Sequence, residues 1–195
     1  MPQRTRSRLR RRRPSREEYP LYLIVCEGAV TERQYFDDLR VLLRIPIHFK
    51  FITGASPATL VQKAAAEKKK PNDFDDIWVL FDIDNHPNVP NAKQQARDND
   101  LKVAISNPCF ELWALLHFQD QHAYIERNDL RRLLREHVPG YEKRLPFGQL
   151  SPLTEDAQRR ASALRDRHRQ NQMEGANPST DADRLVETLL NIRPM

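Results

Sequence analysis

The stretch Asp76-Ile77-Trp78-Val79-Leu80-Phe81-Asp82-Ile83-Asp84-Asn85-His86 decides how the rest of the chain is read. Ile77 to Phe81 are five apolar residues in succession, the pattern of a strand buried on both faces within a parallel sheet. The run stops at two acids spaced i, i+2, which an extended backbone points to one side. In open parallel sheets, ligands bind beyond the C-terminal ends of the strands. Two carboxylates aimed at one point repel unless a cation lies between them, and a divalent metal is the usual partner. The same acids also fit a solvated turn, where aspartate is common.

A chain of 195 residues suits one domain with helical additions. No apolar run approaches the roughly 20 residues of a membrane span. The charged N-terminus is not followed by an apolar segment with a small-residue cleavage site. Cys26 and Cys109 sit beside Val25 and Phe110; they are too few for a zinc site of their own and read as buried, reduced thiols. The expectation is a soluble cytoplasmic protein with no membrane partner.

The net charge of +5 is unevenly placed. Of 32 basic residues, eight are arginines within residues 1–16, which hold no acid, so the remaining 24 face 27 acidic residues. Residues 1–18 are therefore expected to be a disordered arm on a mildly acidic body. Arg10, Arg11, Arg12 and Arg13 form its densest part and suit DNA or RNA phosphates without reading sequence. A solubilising or targeting tail is the alternative.

Leu21 to Cys26 form a second wholly apolar strand, ending in Glu27 and Gly28. A glycine there permits a close backbone approach that a larger residue would block. Thr31 and Gln34 have capping-box spacing, and Tyr35, Phe36, Leu39, Leu42 and Leu43 follow at helical intervals. Ile45 to Ile52 read as a strand, closed by Gly54, and Ser56-Pro57 open a helix that ends in Lys68-Lys69-Lys70. A short helix over 92–98 and a strand over 101–105 come next. Ser106-Asn107-Pro108 then lead into an apolar helix from Cys109 to Phe118.

Glu111 is the odd residue in that helix. A carboxylate amid Phe, Leu and Trp needs a partner, and at a strand's C-terminal end it should face the rim of Glu27, Asp82 and Asp84. Exposure to water, or bonding to free helix N–H groups, is the structural alternative. His86 is a candidate for metal or phosphate contact as well as a turn residue, while His117 reads as a satisfied core histidine. Beyond residue 125 the pattern is helical. Asn128 is placed to cap a helix through His137, Ser151-Pro152 to open an arginine-rich helix to about Gln172, and Ser179 or Thr180 to cap the last. The arginines of 155–170 read as a solvated face first and a nucleic-acid contact second.

The order β-α-β-α-β-α-β predicts a small four-stranded parallel sheet with helices on both faces over residues 19–125, and a C-terminal helical extension over 126–195 packed on it. If strands one and three are neighbours, Glu27 meets Asp82 and Asp84. Such an all-oxygen set suits Mg²⁺ or Mn²⁺.

Glu27-Gly28 after the first strand and Asp82-Ile83-Asp84 after the third resemble the Toprim fold of topoisomerases, primases and overcoming-lysogenization-defect nucleases. Three segments are more closely similar to the RloB-like family of prokaryotic defence proteins: Ile24-Val25-Cys26-Glu27-Gly28 through Thr31-Glu32, Phe81-Asp82-Ile83-Asp84, and Ser106-Asn107-Pro108-Cys109-Phe110-Glu111-Leu112-Trp113. Asn177-Pro178-Ser179-Thr180 fits too. The resemblance spans about residues 20–190. It implies a metal-dependent nuclease working in phage defence, often beside an ATPase encoded alongside. Glu27 would be acid/base or metal ligand, Asp82 and Asp84 metal ligands, and Glu111 a further active acid. Gly28, Glu32, Ser106, Asn107 and His86 are secondary candidates, with Glu32 read first as stabilising the helix N-terminus. A second copy of the chain is a candidate partner.

Two other functions compete. One is a non-catalytic module that binds nucleic acid or a nucleotide signal and acts through a partner ATPase. The other is a phosphatase of the haloacid dehalogenase kind, which wants its Asp-x-Asp after the first strand; here the pair ends the third.

Overall fold

The computed structural model describes residues 20–28, 30–44, 47–52, 55–71, 74–83 and 88–192. The arginine arm with Arg10, Arg11, Arg12 and Arg13, the expected strand start at 45–46, Gly54, and residues 84–87 with Asp84 and His86 lie outside these. The chain runs β1 (Tyr22–Cys26), α1 (Thr31–Leu43), β2 (Ile47–Phe51), α2 (Pro57–Lys68), β3 (Asp76–Asp82), α3 (Val89–Asp98), β4 (Lys102–Asn107), α4 (Glu111–Leu116), α5 (Arg127–His137) and α6 (Phe147–Leu150). A 3-10 turn at Ser151–Leu153 leads into α7 (Thr154–Gln170), β5 (Ser179–Thr180) and α8 (Ala182–Leu190).

The strand order is β2-β1-β3-β4-β5. The first four strands are parallel and β5 joins the edge of β4 antiparallel. The sheet is therefore five-stranded and mixed, which corrects the expectation of four parallel strands. Ser179 and Thr180, read from sequence as a helix cap, pair with Asn107 and Ser106. The N-cap of α8 is Asp181, without a side-chain cap bond, while Thr180 Oγ1 lies 2.9 Å from Ser106 Oγ and accepts the Ala182 N–H at 3.2 Å. Two residues carry no periodicity, so the sequence pattern does not separate this strand from a cap.

Strand alternation sorts the core into two layers. Leu23, Val25, Ile77, Val79, Phe81 and Ile105 pack with the apolar residues of α2 and α3. Tyr22, Ile24, Cys26, Trp78, Leu80 and Ala104 face the other way, into a cluster continued by α1 and by α4 through α8. Ile77 to Phe81 are all buried, as a strand covered on both faces requires. Asp76 and Asp82, the acids bounding that run, are only partly covered.

Local rules hold at some helix ends and fail at others. Ser56 Oγ accepts the Thr59 N–H at 3.3 Å, with Pro57 in the first turn, as its sequence predicts. Lys68 donates to Asn99 O, Asp100 O and the Asp100 carboxylate, tying α2 to the turn before β4. Thr31 and Gln34 do not form the expected capping box. Thr31 is already helical, and its hydroxyl donates to Lys143 O at 3.1 Å. Gln34 exchanges two bonds with Leu145, donating to its O at 2.6 Å and accepting its N–H at 2.7 Å. The pair with capping spacing is used to dock a distant segment. Likewise Asn128 is inside α5, which begins at Arg127 with no side-chain cap. No helix among the described residues is long and apolar enough to cross a membrane.

Candidate functional site

β1 and β3 are adjacent and parallel, with Cys26 opposite Leu80. The residues that leave these strands, Glu27 and Asp82, therefore emerge at the same end of neighbouring strands. β4 brings Ser106 opposite Asp82. α4 starts just beyond β4 with Glu111 as its first residue, only 5% exposed. α1 starts beyond β1 and contributes Glu32 from its first turn.

Glu32 is the acid on which the rim converges. Its carboxylate fills the space that a Cβ on residue 28 would need, which gives Gly28 its physical reason. Burial pushes its pKa up, and the negative charges of Glu111 and Glu27 push the same way, against its own backbone N–H and Arg127. Glu32, Asp82, Ser106 and Phe110 line one narrow cleft together with Leu80 and Ala182. Glu32 is thus a rim residue, not only a helix-end charge.

Glu111 behaves in the opposite sense. Burial acts to raise its pKa, but the Cys109 thiol, its own backbone N–H and Arg131 prevail and hold it below the usual glutamate range. Arg131 Nε donates to Glu111 Oε1 at 3.1 Å. Tyr141 closes this side: its hydroxyl lies 3.5 Å from Thr31 Oγ1, and burial followed by the Glu111 charge raises its pKa. Both cysteines are free and buried. Burial, then neighbouring acids, push their thiols up, so neither is an activated nucleophile.

Arg127 Nη2 donates to Asp82 Oδ2 at 2.8 Å. This arginine and Arg131 are the site residues that the sequence reading misses. The available signal is their spacing: Arg127, Arg131 and Arg135 recur every four residues, beside the buried Leu130 and Leu134. Each reaches inward, Arg135 to Tyr141 O at 3.1 Å. The arginines of α7 that sequence assigns to a solvated face divide. Arg159 and Arg169 pair with Asp156 and Asp166 on the surface. Arg160 binds Leu116 O and His117 O, and Arg165 forks onto the two oxygens of Asp183 at 2.5 and 2.6 Å. These two are internal ties.

Of the other sequence candidates, Ser106 reaches the cleft, whereas Asn107 Nδ2 donates to Gly175 O at 2.9 Å and serves the fold. His117 is 1% exposed, with Nδ1 2.9 Å from Trp113 O, and burial pushes its pKa down to about 4. It is a neutral core histidine. Asp84 and His86 lie outside the described residues.

Among the described residues, no three His, Cys, Asp or Glu side chains are grouped so as to hold a metal ion. The donor chemistry nonetheless fits a hard cation. Glu27, Glu32, Asp82 and Glu111 formally carry four negative charges against two on Arg127 and Arg131, and like-charge pressure is already visible at Glu32. All-oxygen donor sets are the kind that hard cations such as Mg²⁺ and Mn²⁺ take.

Fold and rim together define an α/β protein whose carboxylates converge, with two arginines, at the ends of parallel strands. Residues 22–189 match the family model described as RloB-like protein, and the chain belongs to the RloB-like family. No curated protein and no solved structure was found to match it.

Proposed function

We propose that the protein is a Mg²⁺- or Mn²⁺-dependent phosphodiester hydrolase of Toprim type, acting on DNA or RNA in phage defence. The observation that carries this reading is the emergence of Glu27 and Asp82 from adjacent parallel strands, with Glu32 and Glu111 beside them. Glu27, Asp82 and Asp84 would hold the cation. When bound, it would polarise a phosphoryl oxygen and lower the pKa of a water. Glu32, whose pKa burial pushes up, suits proton transfer to a leaving oxygen. Glu111 stays ionised and fixes Arg131. Arg127 supplies a positive charge that a phosphate can share.

The arm containing Arg10, Arg11, Arg12 and Arg13 adds a sequence-independent grip on nucleic acid in this account. An ATPase encoded alongside, or a second copy of the chain, is the proposed protein partner, and the cytoplasm the proposed location.

One observation favours a second reading. Arg127 already neutralises Asp82, as suits a site that binds nucleic acid or a nucleotide signal without hydrolysing it and works through the ATPase. Incubation of the full chain with single- and double-stranded DNA and RNA, with Mg²⁺ or Mn²⁺, separates the two. Hydrolysis predicts cleavage that Asp82→Asn and Asp84→Asn each reduce by at least about 100-fold, the order seen when one charge-stabilising group is lost. Cleavage that survives both substitutions removes the site; binding without cleavage, with or without the neighbouring protein, selects the module.

A further inference from the structure

Arg127 occupies the position that decides whether Asp82 is available. The side chain leaves the first residue of α5, and its Nη2 is 2.8 Å from Asp82 Oδ2. Its charge also acts on Glu32 and on Cys109. The Asp82 and Arg127 side chains are 20% and 31% exposed, covered enough to hold one geometry and open enough for a ligand to reach both. Arg131, one turn on, is committed differently: its partner Glu111 is 7% exposed and further held by Cys109 and by its own backbone N–H. Of the two paired carboxylates, Asp82 is thus the more accessible to a ligand.

Resting on the hydrolase reading above, we propose that Arg127 is an exchangeable plug, bound to Asp82 until a phosphodiester draws its guanidinium away and frees Asp82 for the divalent cation. A guanidinium presents the same forked donor pattern to a phosphate as to a carboxylate, so the exchange replaces one charge-assisted pair by another. It also removes a positive charge from the position that the cation approaches. Nucleic acid and metal therefore bind with positive coupling, and by linkage each strengthens the other by the same factor. Arg127 acts here as a positioning residue, setting the order in which the site fills.

The test is calorimetric titration of the full chain with Mn²⁺, alone and with a phosphorothioate oligonucleotide that resists cleavage. Wild type should bind Mn²⁺ about tenfold more tightly when the oligonucleotide is present. Arg127→Gln should bind Mn²⁺ alone about as tightly as wild type does with the oligonucleotide, and should lose the dependence on it. Arg127→Lys, which keeps the charge but not the fork, should bind Mn²⁺ alone as weakly as wild type and respond less to the oligonucleotide. Equal Mn²⁺ affinity in wild type and Arg127→Gln, or no effect of the oligonucleotide on wild type, overturns the plug while leaving the hydrolase standing. Absence of Mn²⁺ binding in every protein overturns the hydrolase and the plug together. The wild-type comparison needs no substitution, so it decides even if Arg127→Gln does not fold.

Discussion

Glu32 and Glu111 share one rim yet are pushed in opposite directions, and their surroundings explain why. Glu32 meets burial and two like charges, with Arg127 and a backbone N–H as partial relief. Glu111 is also buried but has a thiol, a backbone N–H and Arg131 to accept its charge. Environments that drive two carboxylates apart are how one site acquires both an acid and a fixed anion. The consequence for stability has a definite sign. Glu32 binds its proton more tightly in the folded chain than in the unfolded one, so its contribution falls as pH rises from the ordinary glutamate pKa, about 4.3, through its raised folded value. Glu111 contributes stability that is present above about pH 4.3 and is lost as pH falls through its depressed folded value. Thermal melts of Glu32→Gln should show a higher Tm than wild type at pH 7, with the advantage shrinking toward pH 4. For Glu111→Gln the melts should show a lower Tm at pH 7, the deficit closing in acid. A Glu32→Gln protein that is less stable by the same amount at every pH would contradict this account of the residue.

At the scale of elements, α5 and α7 show how arginines of similar sequence context come to different ends. On α7, Arg165 is 16% exposed and forks onto Asp183, which is 7% exposed. Removing one partner of a covered pair leaves the other charge stranded, at a cost of about 3–5 kcal/mol. Urea denaturation should therefore show Arg165→Ala losing stability on that order, whereas Arg159→Ala, which breaks only the surface pair with Asp156, should leave the midpoint unchanged. Equal effects from the two would mean that the Arg165–Asp183 fork does not hold α7 to α8. The difference was not legible in composition, because a charge run reads as solvated whichever face turns inward. Periodicity on α5 was more informative: arginines at four-residue intervals beside Leu130 and Leu134 mark a stripe that borders the core. Tyr35, Phe36 and Leu39 announced the buried face of α1 correctly, although Leu42 is 56% exposed. Thr31 and Gln34 misled because a local capping pattern and a tertiary dock use the same donors and acceptors. Nothing local could reveal Lys143 or Leu145 as their partners, more than a hundred residues away.

For the molecule as a whole, the strand order does the placing. β1 beside β3 puts Glu27 and Asp82 at the same end of neighbouring strands, and β4 beside β3 sets Ser106 opposite Asp82, with Glu111 at the start of the helix that follows. That strand placement was legible, since apolar runs ending in acids give the strands and short α connections give a parallel sheet. The two quoted blocks around Ser106-Asn107 and Ser179-Thr180 prove to be strand partners. The fifth strand and the acids that Arg127 and Arg131 pair with were not legible, because both depend on where the C-terminal half folds back onto the first. One face of the sheet shares a continuous core with α5, α7 and α8, so the helices that carry Arg127 and Arg165 are seated on the same apolar layer as β1 and β3. The account's central claim is that this rim holds one divalent cation between the acids of strands one and three. Anomalous diffraction from crystals grown with Mn²⁺ and a phosphorothioate oligonucleotide that resists cleavage tests it most directly. The expected result is a single strong peak, which Glu27, Asp82 and Asp84 would hold. Mn²⁺ bound elsewhere, or no peak with Arg127 still on Asp82, would contradict it.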